Sequence, residues 1–93
     1  MGKYYTSRTD SNSARLYAFA EAQGITIHRI GRPLDALIAL GPMMGEGPTA
    51  LVEVKTKNGK LRPSQVTFMR TWPGKCFVWR SEADVLATKQ ELQ

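Results

Sequence analysis

Apolar residues recur along the chain in two rhythms, and the switches between them predict the order of elements. Leu16, Tyr17, Phe19 and Ala20 return near helical spacing. They predict a helix capped by Ser11 or Ser13, running to about Gln23 and stopped at Gly24. "ITIHRI", residues 25–30, alternates β-branched and polar positions as a strand does. After the "GRP" break, "LDALIAL" (34–40) predicts a second strand, buried on both faces except at Asp35. "TALVEVKT" (49–56) predicts a third, ended by the tight-turn signal Asn58-Gly59. Pro63 then suits the first turn of a helix, and Val66, Phe68, Met69 and Trp72 give that helix an apolar stripe with Arg70 off it. Pro73-Gly74 ends the helix, and "CFVW" (76–79) reads as a buried strand. Ser81, with Asp84 three residues later, resembles a capping box opening a last helix that runs to about residue 91.

The resulting order is α-β-β-β-α-β-α. A strand, a crossover helix and another strand imply parallel pairing of residues 50–56 with 76–80. The expected fold is therefore α/β: one small domain over residues 1–93, with a mixed four-stranded central sheet flanked by helices. Residues 1–12 are polar and turn-rich and are expected to form a loose N-terminal arm. The Gly/Pro-rich stretch 41–49 is expected to be a loop, with Met43 and Met44 at its tip folding back on the sheet.

Charge adds a partner class. The formal net charge is +5, and between Lys55 and Arg80 there are seven basic residues and no acidic one. A block of that sign attracts polyanions, and binding to nucleic acid would weaken with salt. No apolar run is long enough to cross a bilayer and no secretory leader pattern opens the chain, so a cytoplasmic protein without a membrane partner is expected. Cys76 is the sole cysteine, which excludes an internal disulfide and a thiolate zinc knuckle. It reads as a small buried hydrophobe, His28 as a strand residue packed beside the sheet, and Trp72, Phe77 and Trp79 as core.

The candidate chemistry sits in the third strand. Residues two apart in a strand project to one side, so Glu53 and Lys55 share a face while Val52 and Val54 fill the other. Near a sheet interior such charges are costly unless they pair or bind something. An ion pair is the simplest outcome. Asp35, at the start of the preceding strand, allows another: two carboxylates from neighbouring strands make an oxygen-rich pocket suited to Mg²⁺ or Mn²⁺. Lys55 beside them can stabilise charge developing on a phosphate. Gln65, in the first turn of the next helix, either orients a nucleophile or is a plain helix residue.

"PLDALIAL" followed by "ALVEVKTKNGKLRPSQ" resembles the PD-(D/E)xK nuclease superfamily. "VEVKTKNGKLRPSQVTFM" with "CFVWRSEADV" is similar to its VRR-NUC branch, and the likeness spans roughly residues 14–86. The resemblance implies a divalent-metal-dependent phosphodiesterase acting on DNA. Asp35 and Glu53 would be metal ligands together with the Val54 carbonyl, Lys55 the catalytic lysine and Gln65 the supporting polar residue. Glu21 would match an additional acidic position of some members. Leu34 separates Pro33 from Asp35, and Arg62 stands where a serine is common, so that cap is absent. Lys57, Lys60, Arg62 and Arg70 are expected to contact the nucleic-acid backbone. The resemblance also implies selectivity for branched, flap or junction DNA rather than for sequence, with no small-molecule cofactor. A homodimer would place two centres against opposing strands. A non-catalytic nucleic-acid-binding module on the same fold is the alternative.

Overall fold

The structure is a computed structural model and describes residues 3–41, 45 and 47–93, with side chains from residue 12 onward. Its elements are α1 (Lys3–Ala22), β1 (Ile25–Arg29), β2 (Ala36–Leu40), β3 (Thr49–Val54), α2 (Pro63–Thr71), β4 (Cys76–Trp79) and α3 (Glu82–Leu92). The sheet order is β1-β2-β3-β4. β1–β2 and β2–β3 are antiparallel and β3–β4 is parallel, as the α2 crossover requires. The expected mixed four-stranded α/β architecture is present.

β3 is thus an inner strand, hydrogen-bonded on both edges. Ala50, Val52 and Val54 point to one face of the sheet, where Leu16, Tyr17 and Ala20 of α1 and Val85 and Leu92 of α3 pack against Ile25, Ala36, Ile38 and Trp79. Trp79 is fully buried and donates its indole N–H to Thr88 Oγ1 at 2.8 Å, and Thr88 donates in turn to the Asp84 carbonyl at 3.0 Å. Leu51, Glu53 and Lys55 therefore face the other side, which α2 covers only in part. Leu37, on the same side by its register with Leu51, is 41% exposed.

Five expectations are corrected. The region expected to be a loose arm is helical from Lys3, because no glycine or proline interrupts Lys3–Ala22. Ser11 and Ser13 are accordingly interior to α1 rather than caps, while Gly24, at φ 87°, follows its end as expected. The stripe on α2 is not core: Gln65 is that helix's buried residue, and Val66 and Trp72 are 37% and 47% exposed. Phe68 stacks on Trp72 at 5.3 Å instead of inserting beneath the sheet. β2 is not buried on both faces: Leu37 is 41% exposed on the side opposite the core. Ser81 occupies the N-cap of α3 but makes no side-chain cap bond, and the Asp84 carboxylate accepts from the Arg80 N–H at 2.7 Å, one residue ahead of the expected box.

Trp79 and Phe77 are in or against the core as expected. Cys76 is part-buried, and burial raises its thiol pKa. His28 lies exposed on edge strand β1. Met43 and Met44 lie outside the described residues; Leu40 N–H donates to the Pro48 carbonyl at 3.0 Å and joins the two ends of that segment. Among the described residues no helix is long and apolar enough to cross a membrane.

Candidate functional site

The hairpin turn between β1 and β2 delivers Asp35 to the end of β2. The Asp35 carbonyl accepts from Ile30 N–H (2.9 Å) and Gly31 N–H (3.0 Å), and Gly31 takes φ 81°, a conformation open to glycine. One register step beyond the Ala36–Val52 pair places Asp35 opposite Glu53. Its side chain is held there by backbone: Val54 N–H donates to Asp35 Oδ2 at 2.8 Å. N–H and C=O of one strand residue point to the same edge, so the Val54 carbonyl opens on the Asp35 side of β3.

Glu53 is 4% exposed. Gln65 Nε2 donates to its Oε2 at 2.7 Å, and Lys55 Nζ lies 3.5 Å from the same oxygen. Oε1 is buried without a hydrogen-bond partner. The expected ion pair therefore exists, but both partners crowd one oxygen and leave the other unanswered. Burial first, then the Asp35 carboxylate, pushes the Glu53 pKa upward; Gln65 and Lys55 only partly offset them. Tyr17, on the inner face of α1, is raised to about 12, chiefly by burial and then by Asp35, with Glu53 adding a little.

Gln65 spans two jobs. Its Oε1 accepts from Arg62 N–H at 2.9 Å, satisfying a donor at the start of α2, while its Nε2 reaches Glu53. The same side chain anchors the helix and braces the acid, which explains why it is 3% exposed in an otherwise open helix.

These groups border a cleft of about 350 Å³ lined by Asp35, Glu53, Val54, Lys55, Lys60 and Arg62, with Asn12, Ser13, Thr56 and Gly59 closing it. The structure thus gathers Asp35, Glu53, Val54 and Lys55, with Gln65 braced behind Glu53. It also places Lys60 and Arg62 at the rim. It does not gather Glu21, which is exposed in the last turn of α1, some nine residues past Asn12 and hence about 13 Å further along the axis. Lys57 is exposed on the 56–59 turn and Arg70 in the last turn of α2, and neither borders the cleft.

Two of the seven basic residues between Lys55 and Arg80 are committed elsewhere. Arg80 NH1 donates to the carbonyls of Thr56 (2.9 Å), Lys57 and Gly59, clamping the loop under the cleft. Lys75 pairs with Glu91 at 3.5 Å.

Sequence reasoning missed Asn12 and Ser13. Asn12 Nδ2 donates to the Lys55 carbonyl at 3.0 Å, and its Oδ1 accepts from Arg15 at 2.9 Å, while Arg15 also meets Glu82 of α3 at 3.5 Å. Both positions lie one helical turn before Leu16 and Tyr17, and that spacing was the available signal. Arg29 was also missed; its guanidinium lies 4.8 Å from the Tyr17 ring centroid.

A divalent cation would meet oxygen donors here: the Asp35 carboxylate, the partnerless Glu53 Oε1 and the Val54 carbonyl edge. The donor set fits Mg²⁺ or Mn²⁺ in chemistry, with the remaining positions left to water. Among the described residues no group of three or more His, Cys, Asp or Glu side chains could hold a metal ion, so the protein's share would be two carboxylates and a carbonyl. No family model matches the chain, and neither a curated protein nor a solved structure matches it.

Proposed function

We propose that the protein is a divalent-metal-dependent phosphodiesterase of the PD-(D/E)xK, VRR-NUC kind, cutting DNA by structure rather than by sequence. What carries the reading is Glu53 Oε1: a buried carboxylate oxygen without a partner, opposite a second carboxylate, in a cleft whose rim is basic. A carboxylate buried only to form an ion pair would have both oxygens answered.

Asp35, Glu53 and the Val54 carbonyl would hold Mg²⁺ or Mn²⁺, which when bound supplies Lewis-acid stabilisation of phosphate charge and a more acidic water. Lys55, anchored beside Glu53, presents its ammonium to charge building on the phosphate. Gln65 and the Val54 N–H fix the two carboxylates. Lys60 and Arg62 position the backbone without reading bases. A two-fold pair of chains would set two such centres against opposing strands.

The test is incubation of wild type and Lys55→Ala with linear, flap and four-way-junction DNA, with and without Mg²⁺ or Mn²⁺. Metal-dependent cleavage by wild type, reduced about 10²–10³-fold or more in the variant with DNA binding retained, is expected. Binding that persists in EDTA with no cleavage of any substrate would leave a nucleic-acid-binding module instead.

A further inference from the structure

A second cavity lies beside the cleft, between the β1–β2 hairpin turn and the start of α2. It measures about 330 Å³ and is lined by Gly31, Arg32, Pro33, Arg62, Ser64 and Gln65. Both arginines are exposed, and no hydrogen bond or ion pair engages either guanidinium among the described residues. Among the described residues no acidic side chain lines the cavity. Two cations from separate elements thus face one cavity whose described lining carries no counter-charge.

Asp35 and Glu53 line the neighbouring cleft, which Arg62 also borders, but neither carboxylate pairs with either guanidinium among the described residues. Gln65 uses its Nε2 on Glu53 and its Oε1 on the Arg62 N–H. Arg62 borders both cavities, so the two are neighbours.

We propose that this second cavity is a phosphate subsite, in which Arg32 and Arg62 hold a phosphate group neighbouring the one at the carboxylate cleft. The planar forks of two arginines suit phosphate oxygens, and Ser64 adds a hydroxyl. A ligand reaching from one cavity to the other must carry two anionic groups in succession, as a nucleic-acid strand does. The role of the subsite in substrate placement rests on the phosphodiesterase reading, whereas its capacity for phosphate does not. The phosphate is either an internal phosphodiester or a terminal monophosphate.

Anisotropy titrations of the full chain with labelled oligonucleotides, without divalent metal and over a range of salt, test this. The oligonucleotides carry a 5′-phosphate, a 3′-phosphate or free hydroxyls. Arg32→Ala is expected to weaken binding several-fold and to reduce the slope of log K against log salt by roughly 0.7–0.9, the share of one phosphate contact. Lys89→Ala, on α3, removes the same charge away from the cavity and should leave the slope unchanged. If the Arg32→Ala deficit appears only with a phosphorylated end, the occupant is a terminal phosphate; if it appears with every oligonucleotide, it is an internal one. An Arg32→Ala slope equal to wild type, a slope matched by Lys89→Ala, or no binding by wild type overturns the subsite. An Arg32-dependent slope in a protein that never cleaves with Mn²⁺ removes the phosphodiesterase reading and keeps the subsite. Cleavage with Kd unchanged in Arg32→Ala removes the subsite alone.

Discussion

Gln65 on α2 donates to Glu53 on β3 at 2.7 Å, and the two are the most deeply buried pair of hydrogen-bonded polar side chains bordering the candidate centre. Because Gln65 is also the buried residue of α2, one contact serves both helix docking and the bracing of the acid.

Gln65→Leu is therefore expected to destabilise the fold by about 1–3 kcal/mol, since it leaves Glu53 Oε2 with Lys55 alone and uncovers the Arg62 N–H. Urea denaturation measures it. A loss below about 0.5 kcal/mol would show that α2 docks independently of the contact.

Stability in EDTA should fall as pH rises through the Glu53 titration. The folded protein keeps the Glu53 proton above the ordinary value of 4.5, so between the unfolded and folded values the native state binds more protons than the unfolded chain. Protonated Glu53 therefore contributes most at the acid end of that window, and its contribution is lost above it. Glu53→Gln removes the titration and should flatten the profile above the ordinary carboxylate value of 4.5. A variant with the same slope as wild type would assign the pH dependence to another group.

Metal binding carries the opposite sign. A cation at Glu53 must displace that proton, so calorimetric Mn²⁺ affinity should rise with pH over the same window and disappear in Asp35→Asn. Affinity independent of Asp35 would sink the shared-carboxylate site.

Thr88→Val keeps the shape of the side chain and strands the buried Trp79 indole N–H. About 1–3 kcal/mol of stability should be lost, with no change in DNA affinity because the pair lies on the α1/α3 face. Thermal unfolding and anisotropy separate the two effects.

Arg80→Ala should loosen the 56–59 loop rather than the core. Hydrogen bonds to charged groups are worth about 1.5–3 kcal/mol, so amide exchange at Lys57 to Lys60 should speed up about tenfold or more. Protection unchanged from wild type would mean that the turn holds without its clamp.

The element order was legible because period and punctuation agree: Gly24, Pro63, Pro73 and Gly74 break the chain where the apolar rhythm changes. The Lys3–Asn12 helix was not, because its Ser, Thr, Asp and Asn favour turns locally, and only the lack of a breaker points the other way. The α2 stripe misled for a different reason. Spacing tells which residues share a helix face, but whether another element covers that face is decided by topology, and Trp72 remains 47% exposed. At the site, Glu53 and Lys55 could be read from a spacing of two, and Asp35 from the neighbouring strand. Asn12, Arg32 and the commitment of Arg80 depend on contacts between distant segments, which no local pattern encodes.

Val54 shows how one residue can answer to two neighbours through different atoms. Its side chain fills the core, while its N–H holds Asp35 and its carbonyl opens on the same edge. The side chain answers only to the core: isoleucine or leucine would crowd the packing without touching the donor. Only proline deletes the donor itself, so at position 54 the core decides which apolar side chains fit and the backbone bond to Asp35 excludes the imino acid.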